Sequence, residues 1–199
     1  MNTTRKTNTI TQIALMAALQ CIISPFAITF PFSPVPISLA TLMLYLSVYI
    51  LGKKNAVISC GIYLLIGLVG IPVFAGFTGG IGKVLGPTGG YLIGYLALVF
   101  ISGWFVEKWT VGHEKKGAAS GNGWGRYLGC FMQGIGMAIG TAVCYLFGSV
   151  WLAYQAGMDF TATLGIGVLP FIPGDVVKIV IGVAVGNAVK KRLLKAGVV

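Results

Sequence analysis

The chain has 199 residues, of which 56% are hydrophobic and only 9% charged, and it carries a formal net charge of +10. An ordinary soluble domain carries roughly 25% charged residues, so a water-soluble globule is excluded, because its surface could not be solvated. A helix uses about 20 apolar residues to cross a bilayer, so this length implies six or seven spans in one domain over residues 1–199, with no space for an ATPase or catalytic domain.

The first apolar stretch covers residues 10–30, after Arg5 and Lys6. It is longer than a signal-peptide core of about 7 to 15 residues and no small-x-small site closes it, so it is expected to remain as a helix. Pro31, Pro34 and Pro36 then break the chain, because proline lacks the amide proton a helix needs. A second span over residues 37–51 stops at Gly52, Lys53 and Lys54, and a third covers residues 56–73. Residues 74–90 are apolar but hold seven glycines and Pro87, so one straight helix is not expected there. A fourth span follows over residues 91–106. Residues 109–125, with His113, Glu114, Lys115 and Lys116, read as a solvated loop joining two halves. The fifth span covers residues 127–149, residues 151–163 form a partly polar connection with Asp159, and the last span starts near Leu169 and ends at Lys190, Lys191 and Arg192.

The basic residues sit in short clusters between these runs, a pattern unlike the continuous basic face that nucleic acid requires. With the N-terminus in the cytoplasm and six alternating spans, 12 of the 14 Lys and Arg residues fall inside, leaving Lys83 outside and Lys178 within a span. The positive-inside bias selects that orientation, so both termini are expected in the cytoplasm. Three segments then face outward: residues 31–36, 74–90 and 151–169. They are richer in proline, glycine, aromatic and hydroxyl residues than connectors require, so a ligand site is expected at the outer face.

Within the last span, Asp175 and Lys178 are three residues apart and share a helix face. A charge inside a membrane costs roughly 2.5 to 3.5 kcal/mol even on the lenient insertion scale. The two either form a structural ion pair or hold a polar ligand between an acceptor and a cation. Gly79, Gly80, Ile81, Gly82 and Lys83 superficially resemble a phosphate loop, but Phe77 and Val84 occupy positions where that loop needs glycine and Ser or Thr. The run is either a flexible connector or a backbone-lined ligand lid, since glycine lets main-chain N–H groups approach a bound molecule. Small residues four apart recur at Ala14 and Ala18, at Gly86, Gly90 and Gly94, at Gly136 and Gly140, and at Gly182 and Gly186, the pattern of close helix packing. Cys21, Cys60, Cys130 and Cys144 all lie in apolar runs without disulfide or metal spacing. With four acidic residues and one histidine, neither a catalytic set, a metal centre nor a cofactor site is expected, and the chain is read as a non-enzyme.

Four motifs in order carry a family resemblance: Pro34-Val-Pro-Ile-Ser38; Tyr63-Leu-Leu-Ile-Gly67 leading to Gly70-Ile-Pro-Val-Phe-Ala-Gly76; Gly86-Pro-Thr-Gly-Gly-Tyr91; and Pro173-Gly-Asp-Val-Val-Lys178. Together they resemble the BioY family, the biotin-specific S components of energy-coupling factor transporters. The resemblance implies an all-α membrane protein of six transmembrane helices that binds biotin from outside. It also implies a transmembrane coupling protein and two ATPase subunits as partners, in the plasma membrane of a prokaryote. Asp175 and Lys178 match the family's functional pair, and Ala14 and Ala18 match its coupling motif. The candidate ligand set is Asp175, Lys178, Gly79, Gly80, Phe77, Thr88, Tyr91, Trp151 and Ser38. The chain reads Ser38-Leu39-Ala40-Thr41 where the family commonly has Thr-Leu-Gln-Thr, which removes a polar glutamine near the expected site. A biotin-like acid such as lipoate is therefore the alternative ligand. A self-sufficient ion-coupled transporter is the alternative mechanism, although no repeat between halves supports it.

Overall fold

A computed structural model of the chain describes residues 3–28, 35–117 and 123–195. In chain order the elements are α1 (Thr3–Ile23), the short strands β1 (Ala27–Ile28) and β2 (Ile37–Ser38), α2 (Ala40–Leu68), α3 (Ile81–Val84), α4 (Gly89–Gly117), α5 (Gly123–Ala156), α6 (Phe160–Gly167) and α7 (Ile172–Lys195). The apolar stretches of α2, α4, α5 and α7 are long enough to cross a membrane, and that of α1, Thr7–Ile23, is shorter. Large apolar side chains such as Leu15, Phe100, Phe131, Leu146 and Val180 are exposed. Hydrocarbon tails solvate such groups as well as a protein core does.

The helix α2 is two arms. Gly52 interrupts it with φ +73° and ψ 172°, a setting open to glycine because it has no Cβ. Gly52 stands beside the Glu107 carboxylate, far along α4. Ser38 and Tyr63, on either side of it in sequence, both line one cavity with Tyr91, at the start of α4. The chain therefore turns back at Gly52, where the break between the second and third spans was expected. Glu107 accepts from the Lys53 backbone N–H at 2.6 Å and stands 3.8 Å from the Lys53 ammonium. It thereby satisfies one of the donors that a new helical arm leaves open.

Several boundaries differ from expectation. The first span ends at Ile23 rather than near residue 30, because Pro25 follows and the chain enters β1, which pairs antiparallel with β2. The third span ends at Leu68, and residues 109–125 are helical through Gly117 and again from Gly123 instead of forming a loop. Glu and Lys are good helix formers, so the helices continue past the apolar layer. The side chains of His113, Lys115 and Lys116 lie outside the described ones, as do residues 29–34 with Pro31 and Pro34. The connection expected to open at Trp151 begins later, because α5 runs to Ala156 before Gly157 turns the chain with φ +62°. Asp159 then caps α6 by accepting from the Thr161 N–H at 3.1 Å.

Small residues bring α4, α5, α7 and the first arm of α2 together. Gly94 lies against Cys144, and Gly140 against Leu98 and Ser102. Gly182 and Gly186 receive the rings of Tyr45 and Tyr49, and a Cβ at Gly186 would lie 2.1 Å from the Tyr49 ring. That approach lets the Tyr45 hydroxyl meet Thr141 and the Tyr49 hydroxyl donate to Gln133 Oε1 at 2.9 Å. Asn187 donates to the same oxygen at 2.8 Å, so three helices are cross-bonded through hydroxyl and amide groups in an otherwise apolar layer.

Candidate functional site

Above those rungs, the start of α2 and the first turns of α4 and α7 converge with α5 on a cavity region of two neighbouring lobes that share lining residues. Val35, Pro36, Ser38, Tyr91 and Tyr95 line both. The first lobe adds Thr41, Thr141, Tyr145, Phe171, Asp175 and Lys178. The second adds Tyr63, Phe74, Lys83, Thr88 and Leu92. Apolar and aromatic walls with a few placed polar groups are the usual make-up of a small-molecule site.

The polar centre of the first lobe is a closed network. Asp175 and Lys178 are 6% and 8% exposed. The Lys178 ammonium donates to the Ser38 carbonyl at 2.7 Å, to Asp175 Oδ1 at 2.9 Å and to Thr41 Oγ1 at 3.2 Å. Its three donors are therefore all engaged. Asp175 Oδ1 also accepts from the Thr41 hydroxyl at 3.3 Å, and Oδ2 accepts from the Tyr145 hydroxyl. Local chain geometry explains the arrangement. Ser38 is extended in β2, which leaves its carbonyl free for Lys178, while its Oγ accepts from the Ala40 N–H at 3.2 Å at the start of α2. The i, i+3 spacing on α7 brings the charges together. Both readings of the pair thus have geometric content: it is internally satisfied, and it stands in the wall of a cavity.

Of the candidate residues, the structure gathers Asp175, Lys178, Ser38, Tyr91 and Thr88 around the two lobes. The Tyr91 hydroxyl is spent on the Gly167 carbonyl at 2.8 Å, so its ring rather than its OH faces the space. Gly79, Gly80, Phe77 and Trp151 line neither lobe. A Cβ at Gly79 would lie 2.3 Å from the Ile71 carbonyl oxygen, and the Gly80 N–H donates to Gly67 at 2.7 Å, so this run knits the loop onto the end of α2. Phe77 is 60% exposed and meets Phe26 edge-on. Trp151 donates to the Gly86 carbonyl at 2.9 Å and covers Gly89 and Gly90, tying the start of α4 to α5. Ala14 and Ala18 are exposed on α1. Thr41, Tyr63, Tyr95, Tyr145 and Lys83 were not anticipated. The available signal was tyrosine recurring inside apolar runs, above all Tyr91 and Tyr95 one turn apart.

Known proteins align with this architecture along nearly its full length. The model of the BioY family matches residues 1–195. A probable biotin transporter BioY of Pyrococcus horikoshii is 37% identical, covering 87% of this chain and 90% of its own length. The biotin transporter BioY of Lactococcus lactis subsp. cremoris is 32% identical over 96% of this chain and 95% of its own. A crystal structure of the S-component for biotin from an ECF-type ABC transporter superposes with a TM-score of 0.81 at 31% identity, covering 96% of this chain and 95% of that one. The chain belongs to the BioY family.

Proposed function

We propose that this chain captures biotin at the outer face of the membrane as the S component of an energy-coupling factor transporter. The observation that carries the reading is the pairing of two polar lobes: a buried Asp175–Lys178 network in one and Lys83 in the other. Biotin offers a urea with two N–H donors and a carbonyl, an apolar sulfur ring and a carboxylate tail. Asp175 accepts from the urea N–H groups and Lys178 donates to its carbonyl. Tyr91 and Tyr95 hold the apolar middle, and the tail lies toward Lys83 and Thr88. Two cations against one acid in the cavity walls favour an anionic ligand. Relatives named as biotin transporters and the S-component for biotin support the same ligand.

The chain crosses the plasma membrane six times, with the two arms of α2 counted separately, and both termini are cytoplasmic. Gly79, Gly80, Phe77 and Trp151 contribute by fixing the loop over the cavity. Ala14 and Ala18 present a low-relief face for the transmembrane coupling protein, which works with two ATPase subunits. Identifying the small molecule that leaves the purified protein on denaturation tests the proposal. Biotin recovered near one per chain is the expected result, and a different acid in that amount would overturn it.

A further inference from the structure

The side of α1 that packs into the protein carries Ile13, Met16, Ala17 and Gln20, and Ser24 follows in the turn just after the helix. Gln20 is 0% exposed, and neither its Nε2 nor its Oε1 has a hydrogen-bond partner. Ser24 is 1% exposed, and its hydroxyl is also without a partner. The Ser24 and Tyr63 hydroxyls are neighbours, and Cys21, next to Gln20 in the chain, packs against the apolar cluster that holds Tyr63. Tyr63 is one of the residues that line the second lobe of the cavity. The end of α1 thus brings a buried amide and a buried hydroxyl to the side of the helix that carries Tyr63. An unpaired buried amide in an apolar setting is costly and rare. A cluster offering two to four polar partners is what an internal water requires.

We propose that Gln20, Ser24 and Tyr63 form a hydration subsite in which one bound water bridges the Gln20 amide to Tyr63 and turns the Tyr63 hydroxyl toward the ligand. Gln20 and Ser24 are then positioning residues and Tyr63 the group that meets the ligand. This rests on the biotin reading above.

A double-mutant cycle in detergent, read by calorimetric titration with biotin, tests it. Gln20→Met keeps the volume and removes the amide, and Tyr63→Phe removes the hydroxyl. Each is expected to weaken biotin binding about tenfold, and the double variant no more than either single one, because both break the same link. Ser24→Ala enters the same cycle and is expected to behave like Gln20→Met. Unchanged affinity in Gln20→Met, or losses that multiply in the double variant, would each overturn the proposal. Wild-type protein that fails to bind biotin would instead remove the reading on which it rests.

Discussion

Replacing Asp175 by Asn separates the two roles of the buried ion pair. The carboxylate accepts from Lys178, Thr41 and Tyr145. An amide keeps one acceptor oxygen but loses the charge, so the 8%-exposed Lys178 is left with neutral acceptors alone. Breaking a buried pair by removing one partner costs about 3 to 5 kcal/mol, whereas removing both charges together is often close to neutral. Asp175→Asn should therefore lower the ligand-free melting temperature, and the double variant Asp175→Asn with Lys178→Met should regain most of the loss. Binding should not follow the same course. A hydrogen bond to a charged group contributes about 1.5 to 3 kcal/mol, so Asp175→Asn should weaken biotin roughly 10- to 150-fold, and the double variant at least as much. Thermal unfolding without ligand, set against titration calorimetry with biotin, reads the two quantities independently. A double variant that is restored in stability and also binds biotin like wild type would show that the pair holds helices and touches no ligand.

Three further outcomes are expected. Lys83→Met should weaken biotin by about tenfold through the lost charge-assisted bond to the tail while leaving a neutral biotin amide unaffected; equal losses for both would take Lys83 away from the carboxylate. Ala14→Trp should leave biotin binding intact in the isolated subunit and abolish assembly with the coupling protein and uptake, because the bulk falls on the exposed face of α1. Lost binding in the isolated variant would place Ala14 in internal packing. Cysteine labels at Lys116 and at the C-terminus should react only from the cytoplasm and one at Gly82 only from outside, and outward labelling of Lys116 would reverse both the orientation and the site.

What the sequence reveals of this molecule follows hydropathy more closely than helix formation. Gly52, Lys53 and Lys54 interrupt an apolar run, and the chain does turn back at Gly52. The polar residues 109–125 interrupt one too, yet helix continues through Gly117, because a helix end outside the bilayer needs no apolar surface. Asp175 and Lys178 stand out as charges in an apolar span, and their spacing alone brings them together. Thr41 and Tyr145 do not stand out, since hydroxyl groups are ordinary in membrane helices and their links to α7 cross 134 and 30 residues with no periodic trace. Trp151 and the Gly79–Gly80 pair are conspicuous in composition, but their contacts go to backbone carbonyls of the loop between α2 and α4 and the adjoining helix end. Conspicuous residues there hold the wall in place, and inconspicuous hydroxyls line it.

The closed state of the network bears on which acid the cavity accepts. Lys178 has three donors and all are taken, and Asp175 has about four acceptor positions of which three are taken. A ligand therefore enters by exchange, and its gain is the difference between the bonds it makes and those it displaces. A carboxylate brings acceptors only: it can compete for Lys178, but it offers Asp175 no donor and adds a like charge beside it. A urea brings both kinds of group on one rigid ring. Its carbonyl can take the place of the Ser38 oxygen at Lys178 while an N–H fills the remaining acceptor position of Asp175. On that count the ring of biotin is retained where the dithiolane and tail of lipoate, which carry no N–H, leave the exchange incomplete. The absent glutamine at position 40 does not alter this balance, because the donors and acceptors that decide it belong to Ser38, Thr41, Tyr145, Asp175 and Lys178.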